Sequence, residues 1–152
     1  MSRSSNRVFL GSVAGALSVL LFHQISLQIL FWVGLAPQPA FRLAHVPPFF
    51  MPMVVSLTFW GAVYGALFGA LSQRLPGRLY WYGIPLGLAA MLLSWFVFLP
   101  LKGVPVAFGG QLAPMARGAM AYLLWGMGVT VLLPLLSPRP IRPRPLPPHV
   151  HA

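Results

Sequence analysis

Four apolar runs, each long enough to cross a hydrocarbon core, constrain this chain more than any motif in it. A helix needs about 20 residues to span that core at a rise of about 1.5 Å per residue. Runs of this kind lie at 8–33, 53–72, 79–101 and 115–136. Of the 152 residues, 58% are hydrophobic and only 7% charged, so no soluble domain of this size has enough interior for them. The expected fold is an all-α membrane protein, a four-helix transmembrane bundle forming one domain over 8–136. A short N-terminal tail at 1–7 and a disordered Pro/Arg-rich tail at 137–152 complete it.

The first run imitates a secretory signal, because Arg3 and Arg7 precede it and Gly34-Leu35-Ala36 resembles a small-x-small cleavage site. A signal's apolar region spans only about 7 to 15 residues, and Pro37 is unfavourable directly after a cut. The run therefore reads as a retained helix.

Orientation follows from the excess of Lys and Arg in cytoplasmic connections. Four spans put Arg3, Arg7, Arg74, Arg78, Arg139, Arg142 and Arg144 on one side, against Arg42, Lys102 and Arg117 on the other. Both termini are thus expected in the cytoplasm. Trp32 then falls at the outer interface and Tyr80-Trp81-Tyr82 at the inner one, where amphipathic rings settle at headgroup level.

Pro76-Gly77 predicts a tight turn and an antiparallel hairpin of the second and third helices. The connection "GLAPQPAFRLAHVPPFFMP" carries five prolines, which exclude regular helix and favour extended or interfacial backbone. The tail "SPRPIRPRPLPPHVHA" alternates proline with arginine and reads as a solvated polyproline segment, either an anchor on anionic lipid or a docking site for a cytosolic partner. The net charge of +10 is spread over both sides and follows topology, so nucleic acid is not an expected partner.

Small residues four apart stack on one helix face and let backbones approach closely. Gly61, Gly65 and Gly69 form one such ridge, Gly11 and Gly15 a second, and Gly83 and Gly87 a third. These ridges serve packing within the chain or, through one exposed ridge, homodimerisation. On the expected topology nearly all helix glycines fall at the midplane or in the cytoplasmic half. Most bulky rings, among them Trp60, Phe98, Tyr122 and Trp125, lie at the midplane or above it. The expectation is a bundle closed on the cytoplasmic side and splayed, aromatic-lined, on the outer side.

His23, Gln24 and Gln28 sit within the first apolar run, with Gln28 one turn above Gln24 on the same face. Polar groups at that depth are costly unless they face the bundle or water. They form an interhelical seam, donating to backbone carbonyls or to Ser94, or they floor an outward cavity. A single intramembrane histidine is too few for a metal or haem site, and cysteine is absent. Only a symmetric pair of His23 side chains would change that, so no metal and no cofactor is expected.

The chain contains no Asp and no Glu. Carboxylates carry most general acid–base work and most cation coupling, so an enzyme or a cation-coupled pump is not expected. Arg42, His45, Lys102 and Arg117 are also left without internal counter-ions on the outer face. They snorkel to lipid phosphates, or "PLKGVPVAFGG" joins Arg117 at the start of the fourth helix to cradle an anionic group.

"LLFHQ" in the first helix, "SLTFWGAVYG" in the second and "PLKGVPVAFGG" after the third resemble a group of small four-helix inner-membrane proteins of proteobacteria. The resemblance covers most of the chain up to the tail. It implies a bacterial inner membrane and carries no activity across. The sequence therefore points first to an accessory or structural component, in a homo-oligomer or larger membrane complex, in contact with lipids including anionic headgroups. The alternative is a small transporter, channel or lipid-binding protein with an outward cavity for an anionic or neutral solute.

Overall fold

The computed structural model describes residues 3–47 and 49–137, with side chains from residue 6 onward. The Pro/Arg-rich tail beyond Ser137, with Arg139, Arg142 and Arg144, lies outside the described residues. Four helices are long and apolar enough to cross a membrane. Helix α1 runs from Arg3–Ser18 through Val19–Gln24 to Ile25–Trp32 without a break. Helix α2 is Met53–Leu71, α3 is Leu79–Leu101 and α4 is Leu112–Leu136. Two long connections, 33–52 and 102–111, meet at one end of the bundle, called here the loop end. The terminal end carries the start of α1, the end of α4 and the short turn 72–78.

Two helix starts differ from expectation. Helix α1 already includes Arg3, the first described residue, ahead of Val8, because the polar segment before the apolar run belongs to the same helix. Helix α4 begins at Leu112 rather than Met115. Pro114 sits in its first turn, where a missing N–H is not needed. The proline-rich connection is not wholly irregular either: β1 (His45–Val46) pairs antiparallel with β2 (Met51–Pro52) in a minimal ladder.

Close backbone contact governs the terminal half. A Cβ at Gly65 would strike the Gly11 carbonyl and lie 2.8 Å from the Gly15 Cα. One at Gly15 would collide with the backbone of Gly61, and one at Gly69 with the Arg7 carbonyl. Helices α3 and α4 meet in the same way, since a Cβ at Gly87 would lie 3.0 Å from the Leu123 Cα and one at Gly83 2.9 Å from the Met127 Cα. Helix α1 is locked to α4 by a reciprocal pair: Ser18 Oγ donates to the Trp125 carbonyl at 2.6 Å, and Trp125 Nε1 donates to the Gly15 carbonyl at 3.0 Å.

All seven ridge glycines, Gly11, Gly15, Gly61, Gly65, Gly69, Gly83 and Gly87, are thus buried against another helix of the same chain. Of the two uses that the spacing suggests, the structure shows packing within the chain for all seven.

The expected α2–α3 hairpin is present in connectivity, and its two helices meet through side chains rather than backbone. The backbones of α2 and α3 make no contact comparable to those of α1 with α2, α1 with α4 or α3 with α4. The reason lies in which faces carry glycine. Helix α2 turns its glycines to α1, and α3 turns Gly83 and Gly87 to α4, so the faces left toward each other carry large rings. The bundle is consequently ordered α2–α1–α4–α3, closed by side chains at its last seam.

Candidate functional site

A cavity of about 50 Å³ lies between all four helices in the loop-end half. At roughly 15 Å³ per water position, it holds about three waters. Its polar lining comes from His23 of α1, Tyr64 of α2, Ser94 of α3, Tyr122 of α4 and Lys102 at the end of α3. Trp60, Phe98 and Trp125 supply aromatic walls. Trp60 and Phe98 approach to 4.8 Å between ring centroids across the α2–α3 seam. The loop half is therefore not splayed, as the aromatic distribution suggested; its own rings fill most of the space that the absence of glycine opens.

Two π-helical turns shape this site. In α1, buried residues recur at Ala14, Gly15, Ser18 and Val19, and a regular α-helix would continue that stripe at Phe22 and His23. The wider turn over Val19–Gln24 moves it on by one residue, so His23 and Gln24 are the buried pair. A second π turn, Ser94–Phe98 in α3, contributes Ser94 and Phe98 to the same cavity. Turns of this kind cost helix regularity and recur at functional sites.

His23 is 7% exposed, its Nδ1 has no hydrogen-bond partner, and its ring meets the edge of Tyr122 at 5.5 Å. The Tyr122 hydroxyl interacts with the Ser94 side chain. Lys102 is half-buried, and that desolvation holds its ammonium below the ordinary lysine pKa. Along α3 the helical rise separates the Cα atoms of Ser94 and Lys102 by about 12 Å, and both side chains line the one cavity.

The two glutamines do not line this cavity. Gln24 Oε1 accepts the Phe41 backbone N–H at 3.0 Å, and Gln28 Oε1 accepts that of Ala40 at 3.0 Å. They hold the 33–52 connection against α1, and Phe41 so held has a left-handed backbone, φ 56°. The stacked pair is thus a tether for a loop, where the sequence suggested donors to neighbouring helices or a cavity floor.

The four cations expected on the outer face are likewise engaged at different places. Arg117 donates to the Leu35 carbonyl at 3.1 Å, which ties the start of α4 to the same connection. Arg42 and His45 are exposed. The Arg42 carbonyl accepts the Val54 N–H at 3.1 Å and so satisfies a donor at the start of α2. Only Lys102 of the four lines the cavity, and no shared anion cradle with Arg117 forms. The segment Val106–Gly110 instead winds through left-handed backbone at Ala107, Phe108 and Gly109, which sets Phe108 against Trp95 at 6.4 Å.

Sequence reasoning named His23, Ser94 and Lys102 but missed the hydroxyls of Tyr64 and Tyr122. A tyrosine in place of phenylalanine within an apolar run is the available signal, since its tip needs a polar neighbour. Among the described residues no cluster of His, Cys, Asp or Glu is placed to hold a metal ion. The lining is mostly apolar; its one side chain that is charged at neutral pH is the Lys102 ammonium, and in a chain without Asp or Glu it holds no carboxylate. Comparison with protein-family models, with curated proteins and with solved structures finds no match for this chain.

Proposed function

We propose that this is a multi-pass protein of the bacterial inner membrane that binds or transports a small anionic solute or lipid group, with both termini in the cytoplasm. The observation that carries the reading is the carboxylate-free cavity between four helices, lined by Lys102 and by His23, whose Nδ1 has no hydrogen-bond partner. Arginine excess on the terminal-end connections supports the orientation, which puts the cavity in the outer half. An accessory role, the first expectation from the sequence, has a partner supply the missing carboxylates and the glycine ridges supply the contact; the engagement of those glycines within the bundle makes it the second reading.

The test is extraction at natural expression level in a mild detergent, followed by native mass spectrometry of the intact particle. A monomer or dimer that retains an anionic molecule, and releases it in Lys102→Gln with unchanged helicity, is the expected result. Recovery only in complex with other polypeptides, with no retained small molecule, would overturn the reading in favour of an accessory subunit. A C-terminal reporter active only in the cytoplasm tests the orientation, and silence would reverse it.

A further inference from the structure

The cavity is closed differently on its four sides. Between α1 and α2, and between α3 and α4, backbones touch through glycine. Between α1 and α4, Ser18 donates to the Trp125 carbonyl and Trp125 Nε1 donates to the Gly15 carbonyl. At the loop end, Gln24, Gln28 and Arg117 pin the first connection over α1 and α4, and Phe108 packs the second against Trp95. The α2–α3 seam has none of these closures. Its backbones stand apart, and the contact across it is between the rings of Trp60 and Phe98, with no hydrogen bond joining the two helices among those recorded for the described residues.

Size sharpens the point. About 50 Å³ admits one tetrahedral oxyanion and no acyl chain. A ligand with a tail must therefore leave the tail outside, and the side-chain-only seam is the exit that requires no backbone movement.

We infer that the ligand is an anionic amphiphile, entering sideways from the bilayer between α2 and α3. Its oxyanion sits between Lys102 and His23, and its tail rests across the seam that Trp60 and Phe98 close. This inference rests on the binding function proposed above and adds the ligand class and the route. A head group bound there meets the His23 Nδ1 that the protein leaves without a partner at a nearly dry position, where an unmet donor or acceptor ordinarily costs about 1–3 kcal/mol. The ligand head supplies its missing partner.

The full chain in detergent micelles is titrated with dioleoyl phosphatidic acid, dioleoyl phosphatidylcholine and inorganic phosphate, each read by native mass spectrometry. Phosphatidic acid is expected to bind about tenfold better than phosphatidylcholine and to lose about tenfold in Lys102→Gln, the worth of one charge-assisted hydrogen bond. His23→Phe is expected to lose affinity as well, with the fold intact. Phe98→Ala is expected to speed exchange of bound phosphatidic acid severalfold, since it removes one leaf of the closure. Phosphate binding without phosphatidic acid binding would overturn the lateral amphiphile and leave the solute function standing. Failure of all three probes would sink both. Equal retention of the two lipids, unaffected by Lys102→Gln, marks annular lipid only and refutes the head site. Unchanged exchange in Phe98→Ala refutes the seam as the route.

Discussion

The terminal half and the loop half of this bundle are built from the same kind of apolar helix and held together by different physics. In the terminal half, glycine on one helix meets the backbone of the next, and dispersion over closely approached main chains replaces the hydrophobic drive that a bilayer does not provide. In the loop half, no glycine faces α2 from α3. Rings of unequal shape meet there instead, two helices carry π turns, and a polar cavity remains. Every non-glycine residue with positive φ among the described residues, namely Phe41, Phe50, Ala107 and Phe108, belongs to the loop-end connections. Such conformations persist only where surrounding contacts over-determine them, and they gather at functional sites. The contrast teaches that rigidity and function are divided along the bundle axis, with one half serving as the clamp for the other.

The contrast breaks most completely at Gly65. Gly65→Leu forces a side chain into the Gly11 carbonyl and the Gly15 Cα, where neither backbone can yield. The expected outcome is loss of a monodisperse, helical particle in size-exclusion chromatography and circular dichroism. Normal behaviour of this variant would show that the clamp is not where the glycines are. As a control, Leu112→Ala changes a side chain that is 82% exposed at the loop end, and leaves elution and melting unchanged.

A smaller effect separates ring packing from hydrogen bonding at the junction of the two halves. Trp125→Phe keeps an aromatic ring but removes the donor to the Gly15 carbonyl. A loss of about 1 kcal/mol is expected, since interhelical hydrogen bonds in membrane proteins average about 0.6 and reach about 1.7. Thermal melting in detergent measures it.

Smaller still, and local, is Gln24→Leu. It leaves the Phe41 N–H without its acceptor, and amide exchange at Phe41 is expected to accelerate while the helices melt as before. Loss of the global fold in this variant would mean that the tether belongs to the clamp.

At the low end, His23→Phe is expected to shift stability by less than about 1 kcal/mol in either direction, because it removes an unsatisfied polar atom together with its ring edge contact to Tyr122. A strong destabilisation would make His23 a structural residue and remove it from the site. The pH dependence gives a final, graded check. Lys102 binds an anion while protonated, and its burial lowers the pH at which it deprotonates. Anion binding is therefore full below that lowered pKa and falls as pH rises through it, earlier than for an exposed lysine. The other titratable groups lining the cavity are His23, Tyr64 and Tyr122, and loss of a proton from any of them acts in the same direction. Binding that strengthens with pH would contradict the site.

Much of this was legible in the chain itself. Hydropathy over runs of about 20 residues marks four helices because a hydrocarbon core has one thickness and a helix one rise. Spacing of four between glycines marks close-packing faces for an equally local reason. His23 and Ser94 are conspicuous because polar atoms in apolar runs need partners, and Lys102 because a chain without Asp or Glu leaves it no internal counter-ion. Gln24 and Gln28 were conspicuous too, and their role was not readable. Their acceptors' partners lie at Ala40 and Phe41, in a connection whose path depends on contacts that no periodicity encodes.

By itself, then, the sequence determined the number of helices, their approximate ends, the faces that approach closely and the exclusion of carboxylate chemistry. Tertiary structure alone decided which glycine ridge meets which. It thereby decided that α2 and α3, neighbours in sequence, are left apart to enclose a cavity. It also decided that a one-residue widening of a helical turn brings His23 and Gln24 to the buried stripe in place of Phe22 and His23. The physical reason is common to both outcomes. Hydropathy and glycine spacing are properties of one helix, whereas pairing of ridges and placement of a π turn depend on the fit of several helices at once, where a shift of one residue reassigns which side chain faces inward.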